Sequence, residues 1–214
     1  RERSIILEEI LRANDNPRRR MFYRAMAVAF DRLPYRRPVL GTMQVVEALT
    51  VNQMRDFHQY RYQAERITAV AVGNLPVEHL IQTVTDGFEQ ALARRQPNYE
   101  RRNPATQVHR SAPEPPFQII KRHTDTDASL QQARLVLSWR VPGLAEIERT
   151  DVLDVLASIL ASGRSSRLIR DLREQQQLVT GIAASNMSYW QQGVFTIAAN
   201  LPVEYIETVE LAII

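Results

Sequence analysis

Apolar residues recur every three to four positions across Ile5, Ile6, Ile10 and Ala13, and again across Met21, Phe22, Ala25, Met26 and Ala29. This spacing predicts two helices in succession. Asn14-Asp15-Asn16-Pro17 breaks the period between them, with Asp15 or Asn16 suited to cap the second helix and Pro17 to its first position. That helix is predicted to run to about Phe30, and its stripe reads as core. Two prolines and Gly41 make the stretch from Leu33 to Gly41 a stiff loop. Thr50-Val51-Asn52-Gln53 fits a capping box opening a helix through about Tyr62. Ile67 to Gly73 then reads as a β-strand. Pro76 opens a helix carrying Leu80, Ile81, Val84, Phe88 and Leu92, with Arg94-Arg95 suiting its end.

From Gln96 to Pro116 the pattern lapses: prolines stand at positions 97, 104, 113, 115 and 116, with few aliphatics. This composition predicts a linker. Beyond it, Phe117 to Arg122 and Ala133 to Trp139 read as two antiparallel strands. A helix carrying Val152 to Leu160 follows Thr150-Asp151 and stops at Gly163. Val179 to Ser188 and Val194 to Asn200 predict a hairpin around Trp190-Gln191-Gln192-Gly193, with Gly193 supplying the turn, and Pro202 opens a last helix. The expected fold class is α/β of the α+β kind, with antiparallel-rich sheets covered by helices. Its parts are residues 1–95, a linker at 96–116, and residues 117–214.

Within the first helix, two acids stand where the face should be oily. At about 100° per residue, seven positions bring Glu9 back to within about 20° of Glu2, on the side of Ile5, Ile6, Ile10 and Ala13. Glu8 and Arg12 fall on the opposite side, spaced for an exposed ion pair. Burying an unpaired carboxylate is costly, so two of them aimed at a core call for a cation, either Arg or a metal. Periodicity alone is equally met by Glu2 favouring the helix dipole and Glu9 pairing with an arginine.

The run Glu2-Arg3-x-Ile5-Ile6-x-Glu8-Glu9-Ile10, then Asp15-Asn16-Pro17, then Pro34-Tyr35-x-x-Pro38-Val39-x-Gly41, resembles the insulinase and mitochondrial processing peptidase family of zinc metallopeptidases. Gly163-x-x-Ser166-Arg167-Leu168 resembles a further segment of that family. The resemblance implies two related sandwich domains, both incomplete in this chain. It also implies that Glu9 is a zinc ligand and that Glu2 is an acid near the metal linked to catalysis. The loop of Tyr35 would lie near the active cleft, where Tyr35 either faces substrate or is wedged beneath the loop. The implied substrate is a peptide or small protein, and the implied assembly a homodimer or a pair with a related subunit.

The family's upstream His-x-x-Glu-His motif has no counterpart among His58, His79, His109 and His123. A catalytic zinc site takes three protein ligands, so this polypeptide alone is not expected to cleave peptides. It opens inside a helix with neither a cap nor an initiating Met and ends on apolar Leu211-Ala212-Ile213-Ile214, as expected of a piece of a longer protein. A non-catalytic partner subunit that helps enclose substrate and a plain α/β binding module are the competing readings.

Composition changes this picture little. Of the basic residues Lys121 is the sole lysine, and the net charge is +3. Arg18-Arg19-Arg20 and Arg101-Arg102 are short and lack interleaved aromatics, so no nucleic-acid role is expected. No apolar run reaches the roughly 20 residues of a membrane span. The absence of cysteine excludes disulfides and thiolate metal sites. The stretch after Gly163 lacks a Gly-Lys-Ser/Thr pattern, which removes a phosphate-loop reading, and the compartment is left open.

Overall fold

The computed structural model describes residues 2–62, 67–93 and 112–214. Contacts gather the chain into two compact units, residues 1–43 with 110–214, and residues 44–109. The first 43 residues therefore pack with the part after the proline-rich stretch, a grouping different from the linear division at 96–116.

In the first unit, α1 (Glu2–Asp15) and α2 (Pro17–Ala29) follow one another directly. Asn16 caps α2 as the Asn-Pro pattern implies, its Oδ1 accepting from the N–H groups of Arg18 at 3.0 Å and Arg19 at 3.2 Å. A 3₁₀ turn at Pro34–Arg36 follows. The sheet has the order β1-β3-β2 and is antiparallel throughout, built from β1 (Ala133–Pro142), β2 (Gly181–Met187) and β3 (Gln192–Leu201). The expected α+β class with an antiparallel sheet is what the chain forms.

Alternation along central β3 divides the packing. Phe195, Ile197, Ala199 and Leu201 enter the larger core with Leu168, Ile169, Leu172 and Val209. Val194 points the other way, into a second cluster with Met26, Ala29, Phe30 and Leu33 from α2 and the bend after it. Of the stripe on α2, Met26 and Ala29 are thus core, whereas Phe22 is exposed.

The helix predicted after Thr150-Asp151 begins earlier, at Ile147, and runs to Ala161, preceded by a 3₁₀ turn. Thr150 is buried inside it, its hydroxyl donating to the Ile147 carbonyl at 2.7 Å. Gly163 at φ +83° ends the segment as expected. A π-helical stretch, Ile169–Gln175, leads to the hairpin, and a last helix spans Ile206–Ile213.

Two further details of this unit depart from the sequence reading. Phe117 to Arg122 forms no strand; the chain there is irregular, with Ile119 and Ile120 exposed. The segment is held instead through its side chains, Phe117 against Arg140, Lys121 on Asp31 and Arg122 on Glu210. Gly193 does not make the hairpin turn but lies in β3, where a Cβ would come within 2.9 Å of the Met187 carbonyl and 3.0 Å of that of Pro142.

The second unit contains most of α3 (Met43–Ala48) together with α4 (Val51–Arg61) and α5 (Val77–Ala93). The capping box forms as the sequence implies: Thr50 Oγ1 accepts from the Gln53 N–H at 3.2 Å, and Gln53 Oε1 from the Thr50 N–H at 2.8 Å. The strand expected over Ile67 to Gly73 is absent, with Val70 and Val72 almost fully exposed. A strand exists only by pairing, and no partner for it lies among the described residues of this unit. Arg94-Arg95 and most of the expected linker fall outside the described residues.

Candidate functional site

The helical register puts Glu2 and Glu9 on one side of α1, but not in a core. Both are exposed, as are Ile5 and Ile6, and only Ile10 and Ala13 of α1 are buried. The expectation of two acids facing a core is thus corrected: the buried residues of α1, Ile10 and Ala13, lie in its second half, and both acids are exposed. Glu8 and Arg12 form the expected exposed i,i+4 pair at 3.9 Å. His58 is exposed and stacks on Tyr62, with ring centroids 4.7 Å apart. Among the described residues no three His, Cys, Asp or Glu side chains converge as a metal site would require. Glu9, the one ligand the resemblance implies, has no such companions among the described residues.

Tyr35 is half-buried. Its ring stacks on Tyr189 at 4.3 Å and meets Phe30 edge-on at 5.5 Å. Its hydroxyl donates to Gln191 Oε1 and accepts the Gln191 N–H at 3.1 Å. Both its ring and its hydroxyl are thus engaged within the protein.

The most elaborate polar constellation lies where the sequence predicts a linker. Glu114 is buried, and its Oε1 accepts from the N–H groups of Asp31 (3.0 Å), Arg32 (2.7 Å) and Leu33 (2.8 Å). Its Oε2 takes the Asp31 N–H at 2.8 Å and Arg140 Nη2 at 2.8 Å. The side chain of Gln192 holds the Glu114 peptide from both sides, accepting its N–H at 3.0 Å and donating to its carbonyl at 2.9 Å. Burial opposes the charge on Glu114, but the N–H groups of Asp31, Leu33 and Arg32 and the Arg140 guanidinium outweigh it. The carboxyl is therefore held below its ordinary value.

Strand register explains why Arg140 reaches this point. Arg140 pairs with Val194, so both side chains leave the sheet on the side of α2. Arg140 Nε donates to the Ala29 carbonyl at 2.6 Å, Nη1 to that of Pro115 at 2.7 Å, and Nη2 also to Asp31 Oδ2 at 2.9 Å. The Phe117 ring lies 4.0 Å from its guanidinium carbon, a cation–π contact. Lys121 completes the chain of charges, reaching Asp31 at 3.0 Å. Hydrogen bonds from Lys121 and then Arg140 hold the Asp31 carboxyl below its ordinary value. Sequence reasoning missed this cluster. Its one available signal was a lone acid fixed among Pro113, Pro115 and Pro116.

Comparison with known proteins places this fold. A protein of Mycobacterium leprae named an uncharacterized zinc protease is 28% identical over 211 residues, covering 98% of this chain and 45% of its own length. One of the same name from Streptomyces coelicolor is 29% identical over 199 residues, covering 92% of this chain and 42% of its own. The chain thus spans less than half the length of these relatives. Among solved structures, a protease from Helicobacter pylori superposes over 99% of this chain and 50% of its own, with TM-score 0.71 and 20% identity. The insulinase-type resemblance is thereby borne out. With residues 48–213 matching it, the chain belongs to the family described as the Peptidase M16 inactive domain.

Proposed function

We propose that this chain is part of a zinc-dependent endopeptidase, in which Glu9 gives one carboxylate to the metal and Glu2 tunes the site from outside the ligand set. The observation carrying the proposal is that α1 presents both acids, exposed, on one side of the helix. The zinc-protease names of relatives matching 92–98% of the chain point the same way. Two helical turns separate the acids by about 10 Å along the axis. Side chains on one helix lean the same way, so an ion with bonds of about 2 Å meets only one of these carboxylates. The remaining ligands and the general base belong to residues other than those described.

Tyr35 enters as part of a wall. Its hydroxyl is engaged by Gln191, so a peptide would meet it through van der Waals contact. Substrate is a peptide or small protein, enclosed by a second copy or a related subunit. By itself the 214-residue chain is expected to bind zinc weakly and to hydrolyse nothing, because a single carboxylate is not a site. Zinc calorimetry beside a fluorogenic peptide assay tests this, and chelator-sensitive turnover by the purified chain would overturn it.

The family's description as an inactive domain favours a second reading, a non-catalytic partner subunit. That reading expects the metal content of the whole protein to be indifferent to Glu9.

A further inference from the structure

Glu114 is bound in the way a ligand is bound. Three consecutive N–H groups, of Asp31, Arg32 and Leu33, converge on its Oε1, and Arg140 closes on Oε2. Successive N–H groups turned to one point make an anion-binding concavity, and a buried guanidinium beside it supplies charge. The groups that donate to the carboxylate come from the bend after α2 and from β1, and none from the segment that carries Glu114. The carboxylate arrives on a proline-flanked stretch, and Gln192 presents it by gripping the peptide at its base.

We propose that the bend at 31–33 and Arg140 form a carboxylate-binding site in its own right, with Glu114 as its resident ligand, and that the site accepts a small monocarboxylate from solution once that side chain is removed. The charges around it set the selectivity. Arg140 faces the ligand from β1, and Asp31 shares that guanidinium at 2.9 Å while also holding Lys121. One negative charge balances the set, whereas a dianion would meet Asp31 with charge to spare. Formate therefore fits, and sulfate does not. The same competition would let the carboxylate of another peptide displace Glu114, making the segment after the proline-rich stretch a strap with a replaceable fastening.

The test uses the whole chain carrying Glu114→Ala, melted in sodium formate and in sodium chloride of equal ionic strength. Formate at ten times its dissociation constant is expected to raise the midpoint by roughly 3–6 °C over chloride. In Glu114→Gln, whose amide fills the pocket, no such difference is expected. Should Glu114→Ala be unfolded in plain buffer, formate is expected to restore the near-ultraviolet signal of the folded chain. Formate acting no better than chloride, sulfate acting as well as formate, or an equal response from Glu114→Gln would each overturn the proposal.

Discussion

Arg140 and Glu114 meet at 2.8 Å with side chains only 4% and 1% exposed. The pair joins β1 to the stretch ahead of it, and through the N–H groups of residues 31–33 both are tied to the end of α2. A buried pair need not stabilise relative to an apolar one, yet breaking it strands a charge. Arg140→Met is accordingly expected to cost about 3 kcal/mol or somewhat more. Arg140→Met combined with Glu114→Gln should cost less than the sum of the two single changes. Urea denaturation of the four proteins measures the coupling.

Acid should loosen this joint. The folded-state carboxyl of Glu114 lies below its ordinary value, so its contribution is fully present above the unfolded-state value of about 4.3 and is lost as pH falls through the folded one. Asp127 adds to the same limb, brought down to about 2 by the Ser129 hydroxyl and N–H and by Arg20. Midpoints measured from pH 6 downward should fall below about pH 5, with the fall reduced in Glu114→Gln and, nearer the acid end, in Asp127→Asn. Equal slopes for all three proteins would show that neither carboxyl is responsible.

Gly143 is expected to be the least replaceable glycine. A Cβ there would stand 2.5 Å from both the Gln192 nitrogen and the Tyr189 carbonyl oxygen, all backbone atoms that cannot turn aside. At Gly193 the nearest approach is 2.9 Å, and at Gly181 it is an ordinary 3.6 Å. Gly143→Ala should therefore destabilise by at least the roughly 1–3 kcal/mol of an overpacked site. Gly193→Ala should follow at a smaller cost, with Gly181→Ala affected least, the order to be read from denaturant midpoints.

The sequence was most legible where one signal sufficed. Asn16-Pro17 and Thr50 to Gln53 capped their helices as their chemistry demands, and the apolar alternation of Ala133 to Trp139 became β1. It misled where an element depends on a distant partner. Ile67 to Gly73 and Phe117 to Arg122 have the composition of strands, yet neither pairs with a strand among the described residues. Glu114 was hidden for the same reason, since its partners are backbone N–H groups 81 to 83 positions away and leave no mark on residue type. For Glu2 and Glu9, angular spacing gave their common face correctly, whereas burial depends on what covers the helix.

The proposal that α1 lends a ligand to zinc is tested most directly by the metal content of the longer protein that the proposal makes this chain part of. Glu9→Gln removes a donor and its charge together, so bound zinc should fall with activity. Glu2→Gln should keep zinc and lose turnover, as expected of an acid outside the ligand set. Glu8→Gln, which removes only the exposed partner of Arg12, should keep both. Zinc analysis of the three purified proteins is predicted to single out Glu9→Gln. Full zinc occupancy in Glu9→Gln, or its loss in Glu8→Gln instead, would contradict the account.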